Sequence, residues 1–141
     1  MSFSVTAVHR RRVRMLDMFT EFEFNEATDC DITQIHGMAL PKDYIEFMRA
    51  HDGGEGSVGE NAYLQLVRLE ELEQFNTDYG IFEYLDGIFI FGTDLGGSLF
   101  GYSGSKGSYC AIDSCSVCEE DIFWAGSDFE GFIKALDAGD L

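Results

Sequence analysis

A single proline, no low-complexity tract and no apolar run near the ~18 residues of a membrane span set the first bounds on this chain. Without a proline- or serine-rich linker, its 141 residues read as one domain spanning 1–141, a length that supports one hydrophobic core. No secretory leader is expected either, because acids interrupt the apolar segment Met15-Leu16-Asp17-Met18-Phe19-Thr20-Glu21 that follows the basic cluster. The expectation is a cytoplasmic protein with reduced thiols. Basic residues are scarce: nine Lys and Arg stand against 26 Asp and Glu, for a net charge of −17. Four of the nine are Arg10, Arg11, Arg12 and Arg14, so from residue 15 onward five bases face 26 acids, a net of −21. That field repels nucleic acid, whose binding rests on neutralising phosphates, and disfavours anionic membranes. It attracts a cationic protein and can speed encounter by about 10- to 1000-fold at low salt. The Arg tract is too short, ahead of so acidic a body, to read as more than an exposed arm or a helix start.

Reactive motifs are missing as well. None of His9, His36 and His51 forms a metal-binding i, i+4 pair, and no serine sits in a G-x-S-x-G elbow. His51 beside Asp52 fits helix-end capping better than acid–base work. Gly92, Gly96 and Gly97 lack the Lys-Ser/Thr of a phosphate loop, and Asp94 would repel phosphate, so a hairpin turn is expected there. Cys115-Ser116-Val117-Cys118 has the gap of a zinc knuckle, with Cys110 nearby, but no second close pair exists. Cys30 or His36 would have to complete the site from a distance. Ordinary thiols are therefore favoured, with a small metal-binding protein using Cys110, Cys115 and Cys118 as an alternative. No cofactor, metal site or catalytic residue is expected.

What is present is a well-patterned core. Hydrophobic residues make up 45% of the chain, with 13 phenylalanines, which excludes disorder. Met15, Met18, Phe19 and Phe22 have helical spacing and predict a helix over about 12–23. Leu40, Tyr44, Phe47 and Met48 share a face of a second helix, with Pro41 at its first position and Gly53 or Gly54 closing it. Tyr63 to Val67 reads as a strand, and Leu69, Leu72 and Phe75 as the inward side of a helix. Ile88-Phe89-Ile90-Phe91, bounded by Gly87 and Gly92, predicts a buried central strand. Ser98 to Tyr102 should return antiparallel, followed by a strand from Ser108 to Ile112. Ser127 and Glu130 predict a capping box for a last helix whose apolar stripe is Phe129, Phe132, Ile133 and Leu136. Strands grouped in a meander, with helices before and after, imply an α+β domain with a mainly antiparallel sheet.

Five pieces in order carry a resemblance: Leu40-Pro41-x-x-Tyr44-x-x-Phe47, Asp52-Gly53-Gly54-Glu55, Leu69-Glu70-Glu71-Leu72, Phe91-Gly92-Thr93-Asp94-Leu95-Gly96-Gly97, and Ser127-x-Phe129-x-x-Phe132-Ile133. Across residues 38 to 136 the chain resembles the SUKH superfamily, which includes cell-wall-synthesis regulators of the Smi/Knr type and many bacterial immunity proteins. It departs at His51-Asp52-Gly53, where the family commonly has Asn before the double glycine. The resemblance implies a curved antiparallel sheet with helices around it and a non-enzymatic role. It further implies binding to a protein partner, with a basic toxin domain as the leading expectation and a regulatory scaffold as the alternative. Acids flanking loops are the expected contact surface: Asp52, Glu55, Glu60, Glu119, Glu120 and Asp121.

Overall fold

A computed structural model describes residues 15–141. A 3-10 turn at Met15–Met18 leads into strand β1 (Glu21–Phe24), then a small separate hairpin of β2 (Gln34–Ile35) and β3 (Met38–Ala39). Helix α1 (Lys42–His51) is followed by β4 (Gly54–Val58) and β5 (Ala62–Leu66). A 3-10 turn at Leu69–Glu71 runs into α2 (Leu72–Asp78) and the short α3 (Ile81–Tyr84). The meander β6 (Ile88–Thr93), β7 (Ser98–Ser103) and β8 (Ser108–Asp113) comes next. A 3-10 turn at Glu119–Asp121, β9 (Phe123–Gly126) and α4 (Phe129–Ala138) finish the chain. The sheet is antiparallel throughout, in the order β1-β4-β5-β6-β7-β8-β9. The domain is α+β, as the patterning predicts.

Strand β6 lies in the middle of the sheet, and all six of its residues are buried. Its continuous apolar run follows from having a core on each face. Phe89 and Phe91 point into the larger core, where Tyr44, Phe47 and Met48 of α1 meet Phe129, Phe132, Ile133 and Leu136 of α4. Ile88 and Ile90 point the other way, into a smaller cluster with Ile81, Leu85, Leu99, Cys110, Ile112 and Ile122. Fully burying each such side chain contributes about 1.5–3 kcal/mol, so the two helix stripes fix which sheet face they cover.

The N-terminal expectation is corrected. Residues 12–14 of the expected helix lie outside the described residues; from Met15 on, the chain forms a 3-10 turn and then an edge strand. Phe19, Phe22 and Phe24 still reach the core, with the Phe19 and Phe22 ring centroids 4.8 Å apart. Phe22 and Phe24 do so from strand geometry, because β1 pairs with β4 in the register Phe22↔Gly56 and Phe24↔Gly54. Gly54 and Gly56 have φ of +142° and +153°, and a Cβ there would run into the carbonyl oxygens of Glu23 and Glu21. Only glycine allows this close approach of the two backbones.

Three helix ends also differ from expectation by one position. Pro41 is the N-cap of α1, with extended φ and ψ of −60° and 140°, and its carbonyl accepts from Ile45 N at 3.0 Å. Asp52, rather than Gly53 or Gly54, takes the left-handed position that closes α1, with φ 49°. Asp128, rather than Ser127, caps α4 and accepts from Gly131 N at 2.6 Å.

Candidate functional site: an open acidic half-sheet

Period-two alternation places β1, β4 and β5 with apolar groups on the α1/α4 side and polar groups on the other. On β6 to β8 the second face is covered by Ile81, Leu85 and Ile122. On β1, β4 and β5 that face is open: Glu21, Glu23, Glu55 and Tyr63 are exposed, and Gln65 is half-buried. The register fixes the rows. Glu23 lies directly opposite Glu55, which lies opposite Gln65; Glu21 lies opposite Ser57, which lies opposite Tyr63.

Within this face the Tyr63 hydroxyl donates to Glu55 Oε2, and Gln65 Nε2 donates to Glu55 Oε1 at 3.1 Å. The hydrogen bond to the Glu55 carboxylate pushes the Tyr63 hydroxyl pKa up from its ordinary value. Glu55 is thereby held flat against the sheet with a fixed orientation. Glu23 faces it across the strand pair, and among the described residues no base pairs with either, so the two like charges cost stability. Two hollows adjoin the face, of about 340 and 440 Å³, and share Gln65, Val67 and Glu71. Glu70 and Asp78 extend the acidic rim along the second hollow. Among the described residues one ion pair forms, Lys134 Nζ to Glu130 Oε2 at 3.0 Å on α4. Among the described residues no base pairs with the half-sheet carboxylates, and a cationic surface is what they can accept.

The acids singled out in the sequence do not gather in one place. Glu55 is central to the open face. Glu60 is exposed in the β4–β5 turn. Glu119, Glu120 and Asp121 form the exposed 3-10 turn before β9, five strand spacings from β4 in the sheet order, or roughly 24 Å. There the Ser116 hydroxyl at 2.5 Å and the Cys118 thiol at 3.2 Å donate to Asp121 Oδ2. These bonds, the hydroxyl first, hold the Asp121 carboxyl below its ordinary pKa. Asp52 is not a surface acid: it is 7% exposed, and its Oδ1 accepts from Leu69 N at 3.0 Å. Asn25 adds a bond from Nδ2 to the Asp52 carbonyl at 3.0 Å, so Asp52 ties the end of α1 to β1 and to the start of the Leu69–Glu71 turn. Glu21, Glu23, Tyr63 and Gln65 are the functional candidates that sequence reasoning missed. The alternation Glu21-Phe22-Glu23-Phe24 was the available signal.

The structure does not bring the three cysteines of the metal-binding alternative into one environment. Cys110 lies fully buried on β8 in the smaller core, while Cys115 and Cys118 are exposed in the loop beyond it. Among the described residues no group of three His, Cys, Asp or Glu side chains could hold a metal ion. Burial pushes the Cys110 thiol pKa up to about 12, as for an inert packing group. Nor is any described helix long and apolar enough to cross a membrane.

The family model described as "SMI1 / KNR4 family (SUKH-1)" matches residues 30–135. No curated protein matches the chain at a significant level.

Proposed function

The chain belongs to the SMI1 / KNR4 family (SUKH-1), and from that premise we propose that it is a non-enzymatic binding domain that neutralises a basic toxin by direct contact. The observation that carries this reading is the open half-sheet, where Glu23 and Glu55 lie opposite each other and no described helix covers them. A Lys or Arg from a partner set between the two carboxylates would relieve their repulsion and gain charge-assisted hydrogen bonds. Tyr63, 38% exposed, adds a residue type that anchors protein interfaces. A toxin that handles nucleic acid must present a basic surface, so an acidic plug both meets it quickly and selects it. The groups with strongly raised pKa values support a passive role: Tyr44, Tyr109 and Cys110 are buried core residues. A catalytic site would set such groups in a cleft.

Co-expression with a toxin encoded beside the gene tests the proposal. The wild-type chain should protect cells and co-elute with the toxin on gel filtration. The double substitution Glu23→Lys/Glu55→Lys should abolish both effects while leaving the fold intact. No protection and no complex with the wild type would reject the reading. Dependence of a toxin-free host on the gene under wall stress would favour the regulatory scaffold instead.

A further inference from the structure

The sheet ends on the other side at β9, and its two edges are built differently. The β1 edge carries Glu21 and Glu23, charges of the kind that block edge-to-edge pairing. Strand β9 is Phe123-Trp124-Ala125-Gly126, with neither charge nor proline. It pairs with β8 through Cys110↔Trp124 and Ala111↔Phe123, and no other described strand adjoins its outer edge. Phe123 is 63% exposed and Trp124 is 40% exposed. Lys106 Nζ lies 5.1 Å from the centroid of the Trp124 ring and holds it in place by a cation–π contact. Beside Phe123 opens a hollow of about 350 Å³, whose walls include Gly97, Ala111, Ile112 and Leu141. Unpaired backbone, exposed aromatics and an adjoining pocket are what strand addition uses.

The charges on either side say which strand fits. Exposed Glu119, Glu120 and Asp121 precede β9, and exposed Asp128 follows it. A second copy of this chain would set acids against acids whether it paired parallel or antiparallel. We propose that the outer edge of β9 is a second interaction surface, which takes an extended partner segment with an apolar middle and Lys or Arg at both ends. The segment adds a strand to the sheet, places an apolar side chain beside Phe123, and pairs its basic ends with the two acidic flanks. This surface is separate from the acidic half-sheet, so it stands or falls independently of toxin docking there.

The test is fluorescence anisotropy at low salt with the full chain and a labelled synthetic peptide, Lys-Arg-Val-Thr-Val-Thr-Val-Lys-Arg. Two control peptides carry Pro at the central Val, which removes an N–H donor, or Glu at all four end positions. The parent peptide should bind at least about tenfold more tightly than either control, because main-chain bonding and charge both contribute to strand addition. It should also slow hydrogen exchange at the backbone amides of residues 123–126. Phe123→Lys should weaken binding by about tenfold or more, since Lys is an edge-blocking residue. Trp124→Thr, a second variant, should weaken binding in the same direction, and Glu55→Lys should leave it unchanged. Equal binding of the proline control, or unchanged binding by Phe123→Lys, would overturn the proposal. Loss of binding with Glu55→Lys would overturn it too, by placing the peptide on the half-sheet. So would a dimer of the free chain that Phe123→Lys dissolves, since the edge would then serve a second copy.

Discussion

Asn76 does the work of a missing strand for Ile90. Its Oδ1 accepts from Ile90 N at 2.6 Å, and its Nδ2 donates to the Ile90 carbonyl at 2.8 Å, as a neighbouring backbone would. Strand β5 ends at Leu66, and its register with β6 stops at Leu66↔Gly92, so the β5 side of Ile90 has no strand partner. Helix α2 fills that gap, and the fully buried Asn76 also bonds the Leu72 carbonyl at 2.8 Å.

Replacing Asn76 should therefore be among the costliest single changes in the chain. Asn76→Leu leaves both Ile90 groups buried and unsatisfied, at about 1–3 kcal/mol each. Asn76→Asp keeps the acceptor but loses the donor and buries a charge. Urea denaturation should show a loss of about 2–6 kcal/mol for Asn76→Leu, with faster hydrogen exchange at Ile90. Wild-type stability in the variant would mean that water or a backbone shift replaces the carboxamide.

High pH should unfold the domain through its buried acids. The Tyr109 hydroxyl donates to Asp43 Oδ1 at 2.8 Å, while Asp43 Oδ2 accepts from Phe129 N at 2.7 Å, so α1, β8 and α4 meet at one carboxylate. Burial first, and then the bond to Asp43, push the Tyr109 pKa well above its ordinary 10.0; burial does the same to Tyr44. Cys110 is pushed from 9.0 up to about 12. For each group the folded pKa exceeds the unfolded one, so its contribution is intact below the unfolded value and falls as pH rises beyond it. Stability should be flat with respect to these groups up to about pH 8 and begin to fall as pH approaches 9. Between pH 9 and 10 it should fall with a slope approaching about 1.4 kcal/mol per pH unit from Cys110, and more steeply above pH 10 as the tyrosines join. Cys110→Val should remove the first segment only. A wild-type profile still level at pH 11 would contradict this account.

The glycines of β4 predict a local rather than global failure. Gly56→Ala puts a methyl group against the Glu21 carbonyl at a φ of +153°, which an L side chain rarely adopts. The cost should exceed about 1 kcal/mol. It should appear mainly as loss of hydrogen-exchange protection in β1, leaving the β6–β8 meander protected. Since Glu21 and Glu23 ride on β1, toxin binding should weaken with it.

How far the sequence could be read depended on how local each cause was. The α4 stripe and the apolar run of β6 declare themselves because each is fixed by its own periodicity and two-sided burial. β1 did not, because Met15, Met18, Phe19 and Phe22 mimic a helical face across what is really a turn and a strand; the alternation of Glu21 to Phe24 was too short to outweigh it. Asn76 and Asp52 were illegible for a different reason. Their polar side chains serve backbone groups 14 and 17 residues away, and the need for them arises only once β5 has stopped and α1 has ended. The candidate surface shares that problem: Glu55 was visible as an acid beside the double glycine, but its partners across the sheet are set by register.

The facing pair Glu23 and Glu55 should make function and stability move in opposite directions. The two sit directly across from each other on the open face, so Glu23→Lys turns a like-charge pair into an attractive one. Such cross-strand exchanges are worth about 0.2–1 kcal/mol, and the urea midpoint should rise accordingly. The gain should shrink toward 1 M salt, where the screening length drops to about 3 Å. In the same variant, affinity for a basic toxin should fall, with most of the change in association rate, because steering depends on the field that Glu23 helps to build. A substitution that stabilises the free domain while slowing capture would identify the repulsion as a feature kept for the partner. If Glu23→Lys instead left the association rate unchanged, the docking surface would have to lie elsewhere on the molecule.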